Sequence, residues 1–445
     1  MRLNGRQTFG VIWGGQLVSQ IGTGMTRFAL LIWAYDQTGS AATVAFLGFF
    51  AFLPSLLVSP FAGVWVDRLD RRRVMLAADT GAGLTTLALL LLHVAGALEI
   101  WHLYAALAVA GACEAFQSPA YTAATTMLLP KEQYARAAGL RSLAESGVLF
   151  IAPFAGGLLL LWVGIGGVML VDLATFAAAL TTLACVRIPR PQPDAAAGST
   201  NFRRELADGF RYTWQRPGLV GLMLVFMAMN FAGALTYFST MPAMILARSG
   251  GDEFALAAVQ ATSGMAGLVG ALAVSVWGGP RRKIHGVLAG AGFSFLCGDL
   301  LMALGRSAPV WIAGSLIGFV FIPFISSGSM AILQSKVAPA LQGRVFALFA
   351  MVRQSLIPPG YVLAGVLADG WLEPGMQPGG ALAATFGWLV GEGPGAGIAL
   401  MFVGTSLAGA AICFGGYLFP SLRNVEEHLP DYDDAPPPVA VAQAA

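Results

Sequence analysis

The chain has 445 residues, of which 57% are hydrophobic and only 11% charged. Soluble domains carry about 25% charged residues, so most of this chain is expected to face lipid rather than water. The formal net charge of +2 is spread over short loops, which excludes the continuous basic face of a nucleic-acid-binding protein.

A membrane-crossing helix needs about 20 mainly apolar residues. Twelve such segments follow one another: 10–34, 43–66, 74–96, 101–129, 140–163, 166–187, 219–245, 254–278, 284–305, 309–336, 344–369 and 396–419. The first follows Arg2 and Arg6 and is too long for a signal-peptide core, so it is expected to be a retained span. Between the second and third lies a charged loop, Gly63 to Arg73, containing Asp67, Arg68, Asp70, Arg71 and Arg72. After the sixth comes a linker with Pro189, Pro191 and Pro193. It ends in Phe202, Leu206, Phe210 and Trp214, whose spacing of four predicts a short amphipathic helix on the membrane surface. The tail from Ser421, with its acidic run and prolines, is expected to be disordered.

All but four of the 25 Lys and Arg residues fall on one side if the segments alternate with the N-terminus inside. The exceptions are Arg248 and Arg306 on the other side and Arg27 and Arg353 within segments. This asymmetry predicts cytoplasmic termini and an even number of spans. The second half also repeats the first about 210 residues later. Arg71-Arg72-Arg73 corresponds to Arg281-Arg282-Lys283, Ala135-Arg136 to Gly343-Arg344, and Gly157 to Gly365. The expected organisation is 1–187 and 217–420 as two six-helix halves, 188–216 as a cytoplasmic linker, and 421–445 as the tail.

Charges inside a bilayer cost about 2.5 to 3.5 kcal/mol each on insertion scales and need a partner or a wet cavity. The first segment carries Gln16, Ser19, Gln20, Thr23, Thr26 and Arg27 at spacings of three and four, a single polar stripe. The fourth does the same with Glu114, Gln117, Tyr121 and Thr125, and the seventh offers Asn230 and Tyr237. Arg27 and Glu114 are the sharpest pair, either as a switchable site that substrate or a proton opens or as a permanent structural ion pair between two helices. Asp172 and Asp299 are expected to satisfy helix packing or face a lumen edge, with proton coupling as the lesser alternative. Aromatic and Met side chains on the seventh and tenth segments suit an adaptable apolar pocket. There is no Gly-x-Ser-x-Gly elbow, metal-ligand cluster or nucleotide loop, and an enzyme is not expected.

Gly63-x-x-x-Asp67-Arg68-x-x-Arg71-Arg72 resembles the signature loop of the major facilitator superfamily. Its degenerate second copy, Gly278-Gly279-Pro280-Arg281-Arg282, lacks the Asp. Pro153-x-x-Gly156-Gly157 resembles the end of the motif of antiporter-type exporters, with Ala152 where the family has Gly. Ser118-Pro119-Ala120 and Val171 to Phe176 are similar to the branch of macrolide-efflux proteins and the enterobactin exporter. The fourth segment departs from the family's proton-linked motif, with Glu114 in place of its arginine.

The resemblance implies an all-α membrane protein of twelve transmembrane helices in two parallel six-helix repeats around one substrate path. Helices 1, 4, 7 and 10 would line the central cavity. The function it implies is proton-coupled efflux of amphipathic small molecules by alternating access, with uptake or lipid flipping as the alternative. It further implies a bacterial inner-membrane location, no cofactor or metal, no nucleic-acid partner and a monomer. Asp67, with Arg68, Arg71 and Arg72 around it, would latch the cytoplasmic side against the start of helix 11 near Gly343-Arg344. The plain alternative is a solvated positive loop.

Overall fold

The computed structural model describes residues 4–130, 133–186, 188 and 209–429. Among these residues all regular structure is helical, and helix is present in each of the twelve expected segments. The first half contains α1 (Gly5–Thr38), α2 (Ala41–Arg68), α3 (Arg71–Val94) and α4 (Ile100–Leu128). Tyr134–Cys185 then runs as one helical stretch that Gly164 divides into α5 (134–163) and α6 (165–185). Gly164 has φ 66° and ψ 179°, a conformation open to glycine and strained for other residues, so the chain reverses without a loop.

The second half contains α7 (Pro217–Leu235, continued after a break by Met241–Ser249), α8 (Glu253–Trp277) and α9 (Lys283–Phe293, through a π-helical Ser294–Asp299, to Leu300–Leu304). It continues with α10 (Ala308–Val320 and Ile322–Lys336) and α11 (Pro339–Ser355, Ile357–Leu367, a π-helical Ala368–Leu372 and Glu373–Gly375). A short helix, Ala383–Val390, which the apolar pattern did not single out, precedes α12 (Ala396–Gly415).

By length and composition, nine stretches among the described residues are apolar enough to cross a membrane, and one of them, Arg136–Cys185, spans 50 residues and holds both α5 and α6. At 34 and 29 residues, α1 and α4 are long enough to span. They carry the polar stripes, which dilute their hydropathy.

Only the end of the expected linker helix falls among the described residues. Positions 209–214 are helical, with Phe210 and Trp214 exposed and stacked at 5.3 Å. The tail does not begin as expected at Ser421. Pro420–Arg423 and Val425–His428 are helical, and Leu422 and Val425 are buried against α7 and α9 residues such as Leu219 and Ile284. The Glu426 carboxylate accepts from Lys283 N and Ile284 N, both at 3.0 Å. It thereby caps α9, and the Lys336 ammonium donates to the Glu426 and Leu429 carbonyls. Two apolar anchors and a cap outweigh the acidic, proline-rich composition that follows them.

The two halves meet unevenly. One apolar cluster joins Phe28, Ile32, Ala41 and Val44 of the first half to Met244, Leu256, Ala257 and Ala364 of the second. A smaller one joins Phe49 and Phe52 to Tyr361. Every other cluster of buried apolar residues stays within one half. Both joining clusters lie in the middle of the bundle or toward the end opposite the termini. There α2 packs on α11 and α5 on α8. At Gly157 an added Cβ would come within 3.2 Å of the Ala257 methyl, and at Gly365 within 2.9 Å of Ala42. Small residues therefore set these contacts. Among the described residues, the buried apolar contacts that join the halves therefore lie in the middle of the bundle and toward the far end.

Candidate functional site

A cavity of about 520 Å³ lies inside the first half. Its wall is built from the packing of α1. Gly15 and Gly22 sit seven residues apart on one face, so close to Thr182 and Thr175 of α6 that an added Cβ would come within 2.3 and 2.2 Å of their hydroxyls. With that face against α6, the stripe of Gln16, Gln20, Thr23 and Arg27 turns toward the cavity. The helical period makes the two faces distinct. Glu114, Gln117 and Tyr121 of α4 line the cavity opposite.

Arg27 Nη2 lies 3.1 Å from Glu114 Oε2, with 45% and 60% of the two side chains exposed. An ion pair this wet contributes little net stability, about 0 to 1 kcal/mol, so it can open without a large penalty. Near the terminal end of the cavity, Arg141 Nε donates to Glu145 Oε1 at 2.8 Å. The same guanidinium donates to the Thr122 and Ser118 hydroxyls at 2.7 and 3.0 Å.

Two further carboxylates face the cavity. Asp172 accepts from Thr23 Oγ1 and Thr86 Oγ1, both at 3.1 Å, and so ties α6 to α1 and α3. Asp79 was not singled out from the sequence. Gln16 Nε2 donates to Asp79 Oδ2 at 2.8 Å, and Gln117 Nε2 donates to Gln16 Oε1 at 3.1 Å. This chain of carboxylate and two amides runs from α3 through α1 to α4. The signal for it was available, since Asp79 is an acidic residue inside an apolar segment and such a residue needs a partner or a wet cavity.

The seventh-segment candidates lie elsewhere. Tyr237 is drawn into the second half, where its hydroxyl meets Ser263 Oγ and Ser315 Oγ at 3.1 Å each. Its ring lies 4.7 Å from that of Phe319. The amide of Asn230 donates to the Phe226 carbonyl of its own helix at 2.8 Å. Neither lines the cavity, whose wall comes from the first half. Asp299 is buried in the π-helical part of α9.

In the charged loop, Gly63 has open space where a side chain would stand. The side chains of Asp67 and Arg68 lie outside the described residues. Arg72 Nε donates to the Leu183 carbonyl at 2.9 Å and its Nη2 to the Ala184 carbonyl, so this arginine caps the end of α6. The Arg71 Nε and Nη1 atoms are buried with no hydrogen-bond partner among the described residues. The Arg344 backbone approaches Gly209 of the linker. On α5, Pro153 is buried, Gly156 faces the Met25 backbone of α1, and Gly157 faces Ala257 across the two halves. Among the described residues, no group of three or more His, Cys, Asp or Glu is placed to hold a metal ion.

Comparison with known proteins matches residues 12–361 to the Major Facilitator Superfamily. The chain is 28% identical over 384 residues to macrolide efflux protein A of Streptococcus pyogenes, covering 82% of this chain and 90% of that protein. It is 24% identical over 361 residues to the multidrug efflux pump Tap of Mycolicibacterium fortuitum, covering 79% and 87%. Among solved structures, the nucleoside transporter NupG superposes with a TM-score of 0.69 at 12% identity, covering 93% of this chain and 99% of NupG. A bacterial homologue of the lysosomal transporter Spinster superposes with a TM-score of 0.66 at 17% identity, covering 95% and 98%.

Proposed function

The chain belongs to the major facilitator superfamily of membrane transporters, and from that premise we propose that it exports amphipathic small molecules in exchange for protons. The observation that carries this reading is the Arg27–Glu114 ion pair, 3.1 Å long and standing open in the cavity wall. A proton on Glu114 removes its charge and leaves Arg27 without its partner. An incoming substrate can do the same by competing for either group. Binding of one at the expense of the other is the exchange that an antiporter requires. The relatives named as macrolide and multidrug efflux proteins support the export direction and an amphipathic substrate.

In this reading the termini are cytoplasmic, and the contacts that join the halves toward the far end belong to the inward-open arrangement. Rocking one half against the other exposes the cavity to the outside. Asp67 then latches the cytoplasmic end against the start of α11.

The test is Glu114→Gln in inverted membrane vesicles, with an imposed proton gradient and a macrolide as the transported probe. The expected result is loss of gradient-driven transport with the protein still folded in the membrane. Full gradient-driven transport by this variant would remove Glu114 as the coupling carboxylate.

A further inference from the structure

The far end of the bundle holds a polar contact between the halves. Asp369 sits in the π-helical segment of α11, Ala368–Leu372. Its carboxylate accepts three hydrogen bonds from the start of α2. Ser40 Oγ donates at 2.6 Å, Ala41 N at 3.1 Å and Ala42 N at 2.8 Å. Ser40 Oγ in turn accepts from Thr43 N at 3.1 Å. The first turn of any helix presents amide N–H groups with no partner inside the helix, together with the positive end of its dipole. For α2, that partner is an anion supplied by the other half of the protein.

Acidic capping is common in this chain, which makes the exception informative. Asp70 caps α3, Asp252 caps α8, Glu426 caps α9 and Glu373 caps α12. Each of these acids caps a helix of its own half, so its hydrogen bonds survive when the halves move as rigid bodies. The Asp369 bonds do not. One turn earlier, Gly365 lies against Ala42 so closely that an added Cβ would reach within 2.9 Å of it, and the carboxylate is held in register by that packing.

We infer that Asp369 is the latch that holds the far end closed, making it a positioning residue for transport through its grip on the N-terminus of α2. Opening the far end breaks three charge-assisted hydrogen bonds at once and returns two helix amides and a hydroxyl to water. The bonds exist only in the far-end-closed state, so they bias the equilibrium between the two states and leave affinity for substrate within either state untouched. The inference rests on the alternating-access part of the proposed function and on nothing about substrate or protons.

The test is pulsed electron–electron spin resonance on the full chain in lipid nanodiscs. The four native cysteines are replaced beforehand, and spin labels are placed in pairs across the halves. Val94 and Trp388, both exposed, report on the far end. Leu69 and Trp277, also exposed, report on the terminal end. In Asp369→Asn the far-end distances are expected to lengthen and the terminal-end distances to shorten. The ratio of far-end-open to far-end-closed protein should rise about tenfold, the effect of losing roughly one hydrogen bond to a charged group. Ser40→Ala, which removes one donor and leaves α11 intact, should shift both pairs the same way by less. A residue that merely holds the fold together would broaden all distances without opposite movement at the two ends. Unchanged distributions in both variants overturn the latch. Glu114→Gln is read by transport, so either idea can fail without the other.

Discussion

The cavity wall has two kinds of carboxylate, and their partners tell them apart. Glu114 is held by one wet arginine, whereas Asp79 is held by the amide of Gln16, which is itself only 7% exposed. Replacing Asp79 by Leu leaves the Gln16 donor without its acceptor in a mostly dry wall, at a cost of about 1 to 3 kcal/mol. Asp79→Asn keeps an acceptor oxygen at the same place and should lie close to the parent. Thermal unfolding of the two purified variants checks this, and equal melting temperatures would show that the Gln16 bond contributes nothing. The sequence made Arg27 and Glu114 conspicuous, because opposite charges on two polar stripes have an evident use for each other. Asp79 was less legible, since its partners are uncharged amides on other helices that no spacing along the chain connects to it. Tyr237 was read as cavity-lining and lies outside this cavity. A polar residue on an apolar segment reads as cavity-lining, yet two serines on neighbouring helices satisfy it within the second half.

Among the elements, the clearest departure from expectation is the chain after α12. Composition alone described an acidic tail, and composition carries no information about which single carboxylate will find a helix end. Glu426 and Glu427 are adjacent and chemically alike, but only Glu426 caps α9, while Glu427 makes an exposed ion pair with Arg282. Glu426→Ala should cost about 0.5 to 2 kcal/mol, the usual range for losing an N-cap. Glu427→Ala should stay within about 0.5 kcal/mol of the parent, as exposed pairs do. Comparing the melting temperatures of the two variants checks the contrast, and equal losses would refute the capping role. The Gly164 turn shows a similar limit. Two apolar segments separated by two residues were read as two helices, and the backbone breaks between them at Gly164. That the reversal rests on a single left-handed glycine could only be seen once the backbone was in view.

For the whole molecule, the repeat, the charge asymmetry and the signature loop carried the architecture, because two like-oriented six-helix halves follow from twelve apolar segments and an internal offset. Which end of the bundle is closed was not legible. A transporter's sequence must be compatible with both arrangements, so its pattern cannot favour one. The contacts show the choice made here, and they allow a direct test of whether the halves part at all. Gly157 of α5 and Ala257 of α8 face each other with a Cβ-to-Cβ separation of 3.2 Å for an added Cβ. A disulfide prefers about 3.8 Å, so two cysteines at these positions could be bridged with a shift of a few tenths of an ångström. In a background without the native cysteines, Gly157→Cys with Ala257→Cys should cross-link when oxidised. The cross-link should abolish transport, and a reductant should restore it. The reduced double variant is the reference, and oxidation of either single variant should leave that variant's own activity unchanged. Full transport by the cross-linked protein would mean that α5 and α8 never separate, and rocking of the two halves would then be excluded as the way this cavity reaches the far side.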